Sequence, residues 1–158
     1  MEFRLIRPGE EETVLKLYRS VVGREFCTWD QEYPGMFEIE RDMAQDDLFV
    51  LTDGDKIIGS IAIDPENEMD GDPVWHYHQK AAEFARVVIA IDRQGKGLAG
   101  VMVRNVLNVM KERGYEAVHI SVAKINIPAQ KTYRNAGFKF VGERFMYGHD
   151  FYLCEKLL

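Results

Sequence analysis

The chain has 158 residues, 46% hydrophobic and 29% charged, with a formal net charge of −6. That length predicts one domain over residues 1–158 with a proper core, and the acidic balance excludes sequence-independent nucleic-acid binding, which needs a basic surface. No apolar run reaches membrane-spanning length, Met1–Leu5 lacks the parts of a signal peptide, and Cys27 and Cys154 carry no redox or metal spacing, so no membrane and a cytoplasmic location with reduced thiols are expected.

Phe3–Arg7 alternates and reads as a first strand, ended by Pro8-Gly9. A helix follows from Glu10 to about Val22, with acidic residues at its N-terminal end. Phe26–Gly35 is irregular and aromatic, and a second helix is predicted over Phe37–Ala44. Leu48–Leu51 and Ile57–Ile63, joined by Asp53-Gly54-Asp55-Lys56, form a hairpin signature. Asp64–Pro73 is acidic and turn-rich without the ligand pattern of a calcium loop, so a solvated loop is expected. The next strand ends at Ile91 and starts between Val74 and Ala81. Gln94–Gly100 is a glycine-rich turn, and a helix with the stripe Met102, Val103, Val106, Leu107 and Met110 runs to about Gly114. Ala117–Val122 is a strand, Gln130–Ala136 a short helix closed by Gly137, and Phe138–Phe145 and Phe151–Leu157 close the chain as strands. The strands flanking the glycine helix must be parallel, because a helical crossover joins them.

An apolar strand, a glycine turn and a helix start make a seat for a phosphate or pyrophosphate, because the turn and the helix end expose N–H donors. Lys96 followed by Gly97 and Leu98 excludes a nucleotide P-loop, and the glycine spacing excludes a dinucleotide fingerprint. Gln94, Gly97 and Ala99 instead fit the pattern Gln or Arg, two residues, Gly, one residue, Gly or Ala. A second signature follows in Asn126, Ala129, Tyr133, Gly137 and Phe138. With these two motifs the chain resembles the GNAT superfamily of N-acetyltransferases, and the likeness extends to Ile6-Arg7-Pro8 and Ile57-Ile58-Gly59.

The resemblance implies an α/β fold with a mixed, mostly antiparallel sheet of about seven strands and about four helices, whose central parallel pair splays for the cofactor. It implies acetyl-CoA as co-substrate, with pyrophosphate on Gln94, Gly95, Lys96, Gly97, Leu98 and Ala99. The pantetheine arm would pair with backbone near Ile89 and Ile91 and meet Asn126. Tyr133 would be the general acid that protonates the leaving thiolate. An alkylammonium is neutral in only about one part in 10³ to 10⁴ at pH 7, a cost of roughly 4–5 kcal/mol, so a base is required. Glu83 is the candidate the family suggests, with His76 and His78 as alternatives. The two histidines lack a third ligand at useful spacing, so no metal is expected. The acceptor is a small-molecule or peptide amine, attacked directly in a ternary complex, and a homodimer fits the family's habit. A cofactor-binding sensor without chemistry and a transferase of longer acyl groups are the rival functions.

Overall fold

Hydrophobic alternation and glycine punctuation resolve into seven strands and four α-helices among the described residues, 1–66 and 68–158 of a computed structural model. In chain order they are β1 (Glu2–Leu5), α1 (Glu11–Ser20), α2 (Met36–Ala44), β2 (Leu48–Asp53), β3 (Lys56–Asp64) and β4 (Ala81–Ile89). A 3-10 turn over Ile91–Arg93 leads to α3 (Leu98–Glu112), β5 (Ala117–Ala123), α4 (Ile127–Asn135), β6 (Lys139–Met146) and β7 (His149–Leu157). The sheet order is β1-β2-β3-β4-β5-β7-β6. Every neighbouring pair is antiparallel except β4 and β5, whose chain link is the α3 crossover.

The β4–β5 seam positions the site. Its strands pair only at Ala81 with Ala117 and Ala82 with Val118, then diverge. On its other edge β4 follows β3 with a bulge. Ser60 lies opposite Val88 and Ala62 opposite Ala85, so two steps on β3 match three on β4. The extra residue falls at Arg86, whose φ of 53° is left-handed. A bulge bends its strand and raises local twist, which turns β4 away from β5.

Helix α3 buries Met102, Val103, Val106, Leu107 and Met110 on one face of the sheet, in a core with Ile61, Phe84, Ile120, Tyr133 and Phe138. Helix α1 buries Val14, Leu17 and Tyr18 on the other face with Ile39 of α2. Its start is fixed by Glu10, whose carboxylate takes both ends of the Arg4 fork at 2.7 and 3.0 Å.

The strand before the glycine turn takes the latest start that the sequence left open. Strand β4 starts at Ala81, and Trp75 to Lys80 is loop. Trp75 is buried, stacks on His119 of β5 at 4.1 Å, and donates its indole N–H to the Met69 carbonyl at 2.9 Å. The Glu155 carboxylate, buried on β7, accepts the backbone N–H groups of His76 and Tyr77 at 3.0 and 3.1 Å. Within the acidic stretch Glu66, Glu68 and Asp70 are exposed, as expected of a solvated loop, while Met69 is buried in a small core with Trp75, Met146 and Leu153. Turn composition hides the buried Met69; of that stretch Asn67 lies outside the described residues.

Candidate active site

The glycine turn has the geometry its residues demand. Gly95 and Gly97 sit at φ 75° and 77°, and a Cβ on either would meet nothing within 4 Å. Backbone conformation, not crowding, requires glycine there, since a left-handed L-residue costs about 1–2 kcal/mol. Gly97 caps α3 without any side-chain acceptor. The first-turn N–H groups of Leu98 and Ala99 therefore face outward with the positive end of a 15-residue helix behind them. That arrangement offers the donors and the positive charge that an anion such as phosphate needs.

Around the turn the side chains divide. Arg93 is held by Asp53 at 2.7 Å, so its charge is spent away from the glycines. Lys96 is exposed. Gln94 donates its side-chain N–H to the Ile89 carbonyl at 3.0 Å and so fastens the turn to the end of β4. The Ile89 carbonyl keeps a second lone pair for a ligand donor. Ile91, expected to continue the strand, lies instead in the 3-10 turn and is partly exposed. Asn126 caps α4, its Oδ1 accepting the Ala129 N–H at 3.2 Å, while its amide N–H₂ has no partner among the described residues.

Tyr133 projects from α4 into the core side of the seam, only 7% exposed. Phe84 and Phe138 hold its ring edge-on at 5.5 and 6.2 Å. Burial pushes its phenol pKa up, with Cys154 and Glu83 adding to the effect, so the hydroxyl stays protonated at neutral pH. That hydroxyl has no hydrogen-bond partner among the described residues.

Glu83 lies one position before Phe84. Strand alternation turns it to the opposite face of the sheet, directly across from Asp64 on β3. Desolvation, then the charges of Asp64 and Asp70, push its carboxyl up to about 8, and Arg86 opposes them. Tyr133 and Glu83 thus approach the opening between β4 and β5 from its two faces. His76 is engaged with Glu155 at 2.7 Å through Nδ1, outside this opening. The two histidines do not share a strand face, because neither lies in a strand.

Three segments meet on the Glu83 face. Tyr147, in the β6–β7 turn, has its phenol pushed up to about 12 by desolvation and by Glu68, with Tyr33 and Glu83 contributing. Tyr33 belongs to the α1–α2 loop and Glu68 to the β3–β4 loop. Beneath them Arg86 is almost completely buried. Its Nε donates to Asp42 of α2 at 2.9 Å, and its Nη1 lies 3.5 Å from the Tyr33 hydroxyl and 3.6 Å from Asp64. Sequence reading passed over Arg86, Asp42 and Asp64. The available signal was an arginine inside the apolar run Ala85–Ile91. Among the described residues no group of three His, Cys, Asp or Glu is placed to hold a metal ion.

Comparison with known proteins agrees with this fold. The model of a family described as "Acetyltransferase (GNAT) family" matches residues 14–138. Human N-acetyltransferase 8B is 25% identical over 100 residues, covering 63% of this chain and 41% of the human one. The chain thus spans about two fifths of the length of that relative. Among solved structures, the ribosomal-protein-alanine N-acetyltransferase of Brucella melitensis superimposes with a TM-score of 0.80 at 15% identity, over the full length of both chains. The Salmonella typhimurium protein yncA, solved with its cofactor acetyl-CoA, gives 0.79 at 14% identity, over all of this chain and 94% of that one.

Proposed function

The chain belongs to the GNAT acetyltransferase family, and from that premise we propose that it moves an acetyl group from acetyl-CoA to a primary amine by direct attack in a ternary complex. The observation that carries this reading is the seam itself. An opening between β4 and β5 ends at an N–H-rich turn, with a protonated, unpartnered phenol on one face and a carboxyl of raised pKa on the other.

In this scheme the pyrophosphate rests on Gln94 to Ala99 and the pantetheine arm lies along β4, with Asn126 free to donate to it. Glu83 accepts the proton of the incoming ammonium. With its pKa near 8 it is about half ionised at that pH and closer in basicity to an alkylamine than an ordinary carboxylate is. The amine nitrogen then bonds to the thioester carbon, the carbon–sulfur bond breaks, Tyr133 gives its proton to the departing thiolate, and the surplus proton on the new amide nitrogen returns to the tyrosinate. No acyl-enzyme is required, since Cys154 is buried with its thiol pushed up to about 12 and Cys27 is also raised by burial. The two unpaired cysteines support a cytoplasmic setting.

The test is release of free coenzyme A thiol from acetyl-CoA across a panel of amines and amine-terminated peptides, with acetylated product identified by mass spectrometry. Saturable acetyl-CoA binding with no transfer to any acceptor would favour the sensor. Faster turnover of longer acyl-CoA thioesters would favour a different acyl donor.

A further inference from the structure

Arg86 breaks two rules at once. It holds a left-handed backbone, φ 53°, in the interior of a strand, where an L-residue costs about 1–2 kcal/mol and glycine is the ordinary occupant of such a bulge. Its guanidinium is buried, yet Nη2 has no hydrogen-bond partner among the described residues, which costs about 1–3 kcal/mol more. Both penalties fall on one side chain, and stability alone does not account for keeping arginine there.

The side chain's contacts supply the account. Asp42 lies on α2 and Asp64 at the end of β3, and both are partly or wholly buried beside the guanidinium at 2.9 and 3.6 Å. The backbone of the same residue is the extra member of the β3–β4 register. Arg86 therefore ties the bend of β4 to a helix and to the neighbouring strand. We propose that Arg86 is a positioning residue, whose clamp on Asp42 and Asp64 fixes the β4 bulge and thereby sets the width of the opening that receives the pantetheine arm.

This rests on the acetyl-CoA reading above, and its test separates the two. The proposed clamp touches β4 and leaves the glycine turn alone, because among the described residues no hydrogen bond or ion pair joins Gln94 or Gly97 to Arg86. Coenzyme A samples both regions, whereas ADP carries a pyrophosphate and no pantetheine. Glycine suits the backbone angle, so Arg86→Gly deletes the clamp while relieving the strain. Its Kd for coenzyme A is expected to rise about tenfold, equivalent to about 1.4 kcal/mol, with amide shifts of Gln94–Ala99 on adding ADP unchanged. Asp42→Asn should move coenzyme A affinity in the same direction by a smaller factor. Should Arg86→Gly fail to fold cooperatively, Arg86→Lys serves: it keeps the charge, loses the planar fork, and should weaken coenzyme A severalfold with ADP unaffected. Wild-type coenzyme A affinity in the folded variants overturns the proposal, as does a parallel loss of ADP binding, which would make Arg86 a general scaffold residue. A wild-type protein that binds neither compound overturns the acetyl-CoA reading and this one with it.

Discussion

Tyr133 and Glu83 owe their proposed roles to opposite consequences of the same desolvation. Burial keeps the phenol loaded with its proton, and it brings the carboxyl into the range where protons are exchanged near neutrality. Tyr133→Phe should lower turnover at least about tenfold, within the span typical of general acids, and leave acetyl-CoA affinity within about twofold, since the hydroxyl holds no partner among the described residues. Steady-state kinetics beside calorimetric binding checks this, and unchanged turnover removes the acid role. Activity should rise with pH as Glu83 ionises, with an apparent pKa near 8. Asp64→Asn removes the strongest neighbouring negative charge, so that limb should move to lower pH. Stability follows the reverse course. The folded carboxyl holds its proton up to about 8 against an ordinary 4.5, so the folded state binds more protons between those values and loses stability as pH rises through them. In Glu83→Gln that slope should disappear from a series of thermal melts between pH 5 and 9.

At the level of elements, two parts have geometry that can be tested separately: the glycine turn, and the loop from Trp75 to Lys80, which covers His119 of β5 and Glu155 of β7 as a lid. Gly97→Asp puts a side chain and a negative charge into the left-handed cap of α3, and coenzyme A binding should weaken about tenfold or more through repulsion of phosphate; full affinity would move the phosphate seat elsewhere. The lid over β5 and β7 hangs on Glu155. Glu155→Ala leaves the His76 and Tyr77 N–H groups unpaired, and hydrogen exchange over Trp75–Tyr77 should accelerate about tenfold for the ~1–3 kcal/mol at stake. Elements of this kind also mark where sequence reading ran out. The turn at Gln94–Gly100, the α3 stripe and the order of strands were legible, because each is local: a positive φ wants glycine, and a helix face repeats every three to four residues. The lid was not legible, since Trp75, His119 and Glu155 are brought together only by the folded sheet. Nor was the Arg86 cluster, whose partner Asp42 reads in sequence as one more charge on an amphipathic helix. Asn126 was legible as a member of a motif, while its use as the α4 cap follows from ordinary helix chemistry.

For the molecule as a whole, the main core spans the seam: Phe84 and Ile61 from one half of the sheet pack with Ile120, Tyr133 and Phe138 from the other. Ligand binding across that seam should stabilise the fold by mass action. At a concentration about 100 times Kd, acetyl-CoA adds about 2.7 kcal/mol, which for a chain of this size is a rise in Tm of roughly 5–11 °C. Differential scanning fluorimetry measures it, and an unchanged Tm at saturating acetyl-CoA would count against any cofactor in the opening.

Among the described residues the halves of the sheet are joined by backbone at one end of the seam, where Ala81 pairs with Ala117 and Ala82 with Val118 and the Lys80 carbonyl accepts the Glu116 and Ala117 N–H groups. A backbone ladder is rigid in register, because sliding it by one residue turns every side chain to the wrong face. Beyond those two rungs the halves are free of that constraint and meet through packed side chains, which can shift by fractions of an ångström without losing partners. The joint is thus pinned at one end by backbone and walled at the other by side chains, so the width of the opening rests on how those side chains and the β4 bulge are held.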